Sequence, residues 1–386
     1  MDLLNKQYIS GTHRLISPEQ TLANIQPHLA AMGITRCADV TDLDRLGIPV
    51  YCSIKPGGRM VQVHQGKGLI PVAAKVSALM EAIEVFHYEN PQLDLLKTDS
   101  LSCLSRSGKT VVQPEILPLY LSQNFFSTDF VIDWIEAENL LTNTQVWMPA
   151  SAACICSPSL YSFSSNGLAS GNHVVEATLH GFYELIERDA ISRLSINGRL
   201  SLNGCQVIDL NTVKDAAVLE LIEKLNIANF KLVLIWVKSC ISINTFWAII
   251  LDKNPHNPSI MVNMGYGTHL SVGVAAARAI TEAAQSRLTF IYGVSEELAE
   301  ELPQERSNTY YKIYKVFDNL AATGNWQNLK SMAGDNLSED YTYVLQSLAS
   351  AGYQNIFRVN LTRDPFKIPV VKVFVSGLGY NPAITG

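Results

Sequence analysis

Apolar residues recur every three to four positions from Val72 to Tyr88, from about Asn172 to Leu194 and from Val274 to Leu288. That is the period of a helix that buries one face. Between these helices lie short β-rich runs: GIPVYCSIK (47–55) ending in the turn PGG, MVQVHQ before Gly66-Lys67-Gly68, FKLVLIWV, FWAIILDK, the glycine-rich MVNMGYGTHLSVG, NIFRVNL and VVKVFVSG. Each predicts a strand. A first helix is expected from Thr21 to Met32, stopped at Gly33, and others from Thr212 to Leu225 and from Tyr341 to Ala351. WIEAENLL and TQVWMPAS mark further elements, Leu93 to Gln123 is the most broken part, and Arg306 to Asp335 reads as a polar, variable segment. No low-complexity linker divides the chain. The alternation predicts one intertwined α+β domain, residues 46–386, behind a small N-terminal extension, residues 1–45.

The helix beginning near Asn172 gathers Glu176, Glu184 and Glu187 on one side. At about 100° per residue, Glu184 lies roughly 80° and Glu187 roughly 20° around the axis from Glu176, with Val174, Phe182 and Leu185 opposite. The helix before it carries Ser77, Glu81 and Glu84 within about a 60° wedge, and the one after it repeats that spacing with Arg278, Glu282 and Gln285. Like charges so placed repel, and carboxylates facing a low-dielectric core need a cation or hydrogen-bond donors. On any single helix the stripe reads as a solvated face. Three such helices, with Ser77, Asn172 and Arg278 one turn before a glutamate, point instead to bound metal. Hard oxygen donors from several helices, without a Cys or His cage, suit Mg²⁺ better than zinc. Magnesium in turn suggests a nucleotide, and Lys67, Arg14 and Arg188 are candidate partners of its phosphates.

Composition narrows the classes. Hydrophobic residues make up 47% of the 386 and charged residues only 17%, enough for a large core and few enough to give clusters of charge weight. The net charge of -6 offers no basic field for nucleic acid or an anionic membrane. No apolar run approaches the roughly 20 residues of a membrane span, and the N-terminus lacks a basic start followed by an apolar core, so a cytoplasmic protein is expected. The 7 cysteines are odd in number and scattered, which reads as reduced, structural thiols. SRSGKT (105–110) resembles the end of a phosphate loop, but Cys103 stands where the first glycine belongs. Glu84-x-x-His87 has the spacing of a di-iron carboxylate motif, yet that fold needs it twice, and His87 reads as a helix-surface or capping residue. GxSxG, HExxH and GxGxxG are all absent.

Taken together, GKGLIPVAAKVSALMEAIEVFH, SSNGLASGNHVVEATLHGFYELIERDA and GVAAARAITEAAQSRL resemble, in order, the three signature blocks of the YcaO family. The resemblance implies a YcaO-type ATP-binding fold with mixed sheets and long acidic-faced helices, in which glutamate-held Mg²⁺ ions join a triphosphate to the protein. By position, Arg14, Thr21, Lys67, Ser77, Glu81, Asn172, His180, Glu184, Arg188 and Arg278 are expected to face the nucleotide. Glu81, Glu84, Glu176, Glu184, Glu187 and Glu282 are expected to face the metal, with the 1–45 extension contributing to the site. The chain departs from the family pattern at His180 and Arg278, where glutamine is usual, and at Ala169, where serine is frequent; it ends NPAITG in place of a proline-rich tail, so no C-terminal base is assigned.

The implied activity is ATP-dependent activation of a peptide backbone amide, giving a thioamide or an azoline. The N-terminal run GTHRLISPEQTLANIQPHLAAMGITRCADVTDLDRLGIPVY resembles the branch that works with a TfuA-type partner. No segment resembles a fused peptide-recognition or E1-like domain, so a separate partner is expected to deliver a peptide or protein substrate to a homodimer. The alternative is a non-catalytic scaffold that binds nucleotide or peptide and recruits an active partner.

Overall fold

A computed structural model describes residues 4–118, 126–196, 199–255, 260–293 and 304–381. Helix α1 (Pro18–Ile25) is capped by Ser17, whose side chain accepts the Gln20 amide, and the chain then runs through two single 3-10 turns to Gly33 at φ 74°. The single helix expected from Thr21 to Met32 is thus three short pieces. Strands β1 (Arg36–Asp39), β2 (Val50–Ile54) and β3 (Val63–Lys67) form an antiparallel sheet, followed by α2 (Pro71–Glu89), which packs on it. Because β1 precedes position 45 and β2 follows it, one sheet spans the expected boundary.

Next come β4 (Lys97–Ser100), α3 (Leu101–Arg106), β5 (Val131–Asn139), β6 (Thr144–Pro149), β7 (Leu168–Ser170) and α4 (Val174–Ser192). A small hairpin, β8 (Ser195–Ile196) and β9 (Arg199–Leu200), leads to β10 (Gln206–Val207), α5 (Ala216–Ile227), β11 (Phe230–Val237), β12 (Asn244–Asp252), β13 (Val262–His269) and α6 (Val272–Gly293). The C-terminal part holds α7 (Gln304–Asp318), α8 (Leu337–Ser350), β14 (Ile356–Asn360) and β15 (Val370–Val375). Two larger sheets result: an antiparallel β10-β11-β12-β13 sheet, and a β4-β5-β14-β15-β7 sheet with β6 paired to β5.

Two segments differ from expectation for visible reasons. Arg306 to Asp335 is polar overall but contains α7, whose sparse apolar stripe seats Phe317 edge-on against Trp247 at 5.3 Å between ring centroids. SRSGKT begins inside α3, so a helix and not a strand leads into its turn, and no phosphate loop forms.

The helices that carry the acids lie close to their strands because small residues permit it. A Cβ added at Gly66 would lie 2.0 Å from the Ala78 amide nitrogen. Gly66→Ala must therefore push α2 off β3, and a loss of about 1–3 kcal/mol is expected. A thermal melt unchanged from the parent would contradict this packing.

Candidate active site

The inner faces of α2, α4 and α6 enclose a cavity of about 580 Å³, and residues between Ser10 and Thr21 close one end of it. Helix α2 contributes Ser77, Glu81 and Glu84; α4 contributes Glu176, His180, Glu184, Glu187 and Arg188; α6 contributes Arg278 and Glu282. Lys67 enters from β3, Asn172 from the turn before α4, and Arg14 and Thr21 from the N-terminal segment. Every residue expected to face nucleotide or metal lines this one cavity. Strand-to-helix packing explains why: α4 lies buried against β7, β13, β15 and α8, so the face left for its acids is the one turned to the cavity.

Each acid has an individual setting. Glu84 accepts hydrogen bonds from the Ser170 amide (2.8 Å) and hydroxyl (2.6 Å), yet burial still raises its pKa from 4.5 to about 8. Glu81 is raised to about 7 because protein surrounds its carboxyl, although 47% of the side chain faces cavity water, which softens that effect. Glu184 accepts the Gly167 amide at 3.0 Å and is raised by burial against the pull of Arg188. Burial and the neighbouring Glu282 raise Glu187. Burial alone would raise Glu282 too, but Lys67, 2.5 Å away, and then Arg188 and Arg278 hold it below its usual value; the Tyr266 amide donates to it at 3.2 Å.

Glu176 stands apart. Its oxygens accept from Arg14 (3.3 Å), the Leu15 amide (2.8 Å), and the amide (3.1 Å) and side chain (3.0 Å) of Asn172, while Thr21 donates to Asn172 at 3.0 Å. Four donors already satisfy this carboxylate, so a bound metal would have to compete with them. In the arrangement seen, Glu176 ties the N-terminal segment across the start of α4. Of these donors the spacing along the chain signals only Asn172, one turn before Glu176; Arg14 and the Leu15 amide are more than 150 residues away.

Burial, with Arg278, Arg14 and Lys67 around it, lowers His180 well below 6.5, so it faces the cavity as a neutral imidazole. His87, expected as a helix-surface or capping residue, is not at the surface but 2% exposed, with Nδ1 turned back to the Ile83 carbonyl of its own helix at 2.8 Å. It lies among the rings of Phe86 and Phe366 and takes no part in the site. Spacing alone also missed Ser170 and Tyr266, which hold acids from strands β7 and β13, and Gly167, which does so from the turn before β7. The end of the chain, 382–386, lies outside the described residues.

Among the described residues, no three His, Cys, Asp or Glu side chains converge closely enough to hold an ion unaided. Such spacing suits Mg²⁺, which takes one or two carboxylates and completes its octahedron with water and phosphate oxygens. The donor set fits this ion in charge as well, since burial raises Glu81, Glu84, Glu184 and Glu187 and a cation among them would lower them again. Lys67, Arg14, Arg188 and Arg278 bring positive charge to the same walls, as a polyphosphate requires.

Comparison with known proteins agrees with this chemistry. Residues 65–379 match the family described as YcaO cyclodehydratase, ATP- and Mg²⁺-binding. An uncharacterized protein in the tfuA 3′ region of Rhizobium leguminosarum bv. trifolii is 30% identical over 384 residues, covering 96% of this chain and 90% of that one. In fold, the chain is similar to a YcaO from Methanopyrus kandleri bound with AMPPCP and Mg²⁺ (TM-score 0.76, 22% identity, 98% of this chain and 95% of that one). It is also similar to a heterocyclase in complex with substrate and cofactor (TM-score 0.80, 21% identity, 98% of this chain), of which it spans about half, 54%. The match along most of the chain, the shared fold and a cavity walled by three acidic helices lead to one conclusion: this protein belongs to the YcaO family, whose cofactors are ATP and Mg²⁺.

Proposed function

We propose that the protein activates a backbone amide of a peptide or protein substrate by transfer of phosphate from ATP, leading to a thioamide or an azoline. The observation that carries this reading is the convergence of six glutamates and four basic side chains on one cavity. An amide oxygen is a poor leaving group. A nucleophile must add to the carbonyl carbon, and the oxygen must then take up a phosphoryl group so that it departs as phosphate. Mg²⁺-bound ATP supplies that phosphoryl group and neutralises its charge.

The chain's own residues position the reactants. Lys67, Arg14 and Arg278 would neutralise and orient the phosphate oxygens of bound ATP, and Glu81, Glu84, Glu184 and Glu187 would hold Mg²⁺. Arg188, whose burial is outweighed by Glu184, Glu187 and Glu282, stays charged among these acids. A neighbouring Cys, Ser or Thr of the substrate as nucleophile gives the azoline with loss of water, and sulfide gives the thioamide with exchange of oxygen for sulfur. The tfuA setting of one relative supports a TfuA-like partner and the thioamide outcome. The test is to incubate protein, candidate partner, peptide, ATP and Mg²⁺, and to measure ATP turnover and peptide mass. Turnover with a mass change of either kind supports the reading; unchanged peptide and no turnover by folded protein reject it.

The raised carboxyls also predict a pH dependence. Between pH 4.5 and about 8 the folded protein without cations holds more protons on Glu81 and Glu84 than the unfolded chain. That contribution to stability is fully present below 4.5 and is lost as pH rises through about 7 to 8. Mg²⁺ must displace the same protons, so its binding with nucleotide strengthens by up to about tenfold per pH unit for each proton displaced. The thermal shift produced by Mg²⁺ with AMPPCP should therefore be larger at pH 8.5 than at pH 6. Equal shifts would place these acids away from the ions.

A further inference from the structure

Strand β3 is the last strand of its sheet, and its unpaired edge runs into the cavity. The Lys55 amide donates to the Gln62 carbonyl at 2.8 Å and the Gly68 amide to the Pro49 carbonyl at 3.3 Å. Backbone bonds alternate along an antiparallel pair, so Gln62, His64, Gly66 and Gly68 turn their backbone groups toward β2, while Val63, Gln65 and Lys67 turn theirs away. The Gln65 amide agrees with this phase, since it donates to Glu81 in the cavity wall. Val63 lies two residues further out, and among the described residues no other strand pairs with this edge.

Where the edge leaves the cavity, the surface is apolar and firmly held. Residues between Ser10 and Thr21 close one end; elsewhere the exposed lining residues are Val61, Glu81, Ser165 and Thr289, which mark the mouth. Met60, Val61 and Val63 are exposed there. The turn that presents them is fastened to the end of α2, because Glu89 accepts from Lys55 and from the Met60 amide (2.7 Å), with Lys55 and Glu89 both buried. Burying an ion pair is costly, and this one takes no part in the nucleotide site. Just inside the mouth, His64 lines the cavity at 1% exposure with Nδ1 3.9 Å from Glu81, and neither ring nitrogen meets a hydrogen-bond partner in good geometry. An open strand edge, apolar side chains beside it and an unsatisfied imidazole are together what an extended peptide would satisfy.

We infer that the outer edge of β3 takes the substrate peptide as an added strand: the Val63 amide and carbonyl pair with its backbone, and its apolar side chains lie on Met60, Val61 and Val63. The continuity of this edge with the cavity selects the occupant. Four residues separate Val63 from Lys67, about 13 Å along a strand. A peptide paired at Val63 therefore places an amide about four residues further in beside Lys67, where the phosphate of ATP is expected. The substrate class follows as a segment that runs extended over at least about five residues, apolar on one side of the modified amide and free of proline at the paired positions.

This inference rests on the proposed peptide reaction and deepens it. Random dodecapeptides are displayed as a library and selected on the wild type with Mg²⁺ and AMPPCP, and the enriched peptides are titrated into the wild type and into Val63→Pro. The proline removes the outward N–H and leaves the bonds between β2 and β3 in place. Val63→Pro is expected to weaken the peptides by at least about fivefold while Mg²⁺-dependent AMPPCP affinity stays within twofold. A second measurement keeps the protein unchanged: N-methylation of the peptide at alternate residues should abolish binding in one phase and spare it in the other. If Val63→Pro does not fold, this measurement decides alone. No enriched peptide, a loss below fivefold, or equal binding in both methylation phases overturns the inference. Peptides that bind by this edge yet undergo no mass change with ATP and partner would reject the proposed reaction, a separate result.

Discussion

Glu187→Gln is expected to lower ATP turnover by about two to three orders of magnitude, the usual effect of removing one fixed charge partner from the transition state of a transfer reaction. Glu187 is 4% exposed, faces the cavity from α4 and is raised by burial and by Glu282. The amide keeps its size and removes its charge. Relief of that repulsion predicts that the variant melts at or above the parent in the absence of ligand, while the shift produced by Mg²⁺ and AMPPCP is lost. The pairing separates a lost ligand contact from a damaged fold. Glu81→Gln should behave alike, whereas a scaffold that only recruits an active partner would retain product formation with both changes. Turnover within threefold of the parent would remove Glu187 from the metal site.

The largest effect on stability is expected at Arg287. Its side chain is 1% exposed, donates to Asp44 at 2.8 Å and to the Ile260 carbonyl at 2.5 Å, pairs with Asp252 at 3.1 Å, and lies 4.8 Å from the centre of the Phe230 ring. Arg287→Leu keeps the bulk but strands Asp44 entirely and leaves Asp252 to Arg45, 2.6 Å away. Removing one partner of a buried ion pair costs about 3–5 kcal/mol. For a chain of this size that is a fall in melting temperature of roughly 5 °C or more. Adding Asp44→Asn removes the stranded charge and should restore part of the loss. A variant that melts within 1 °C of the parent would contradict this account of the network.

The main helices and strands were legible along the chain because their periods are strong: α2, α4, α6 and the strands β11, β12 and β13 all fall where apolar spacing puts them. The acids of those helices were legible as clusters for the same reason, since positions three and four apart share a face whatever the fold. What could not be read was who meets them. Glu176 is held by Arg14 and Leu15, and Glu84 by Ser170, across 162, 161 and 86 residues. Only the packing of β7 beside α2 and the course of the N-terminal segment create those contacts.

Lys372 shows the same limit from the other side. In VVKVFV an alternating strand would turn one face outward, yet β15 is the second-last strand of its sheet and is covered on both faces, so all six residues are buried. Lys372 donates to the Ser164 carbonyl within that core, and burial, partly countered by Glu184, lowers its pKa to about 7. The helix α7 was lost to its polar composition, and β1, β4 and β7 were too short to announce a period.

The central claim is that acids from three distant helices tolerate one another around one cavity because divalent cations and a triphosphate sit among them. Calorimetric titration of AMPPCP into the folded protein, with Mg²⁺ and then with the metal chelated, tests it most directly. The account predicts saturable binding with Mg²⁺, accompanied by proton release, and none after chelation. Binding of equal strength in both conditions, or none in either, would contradict it.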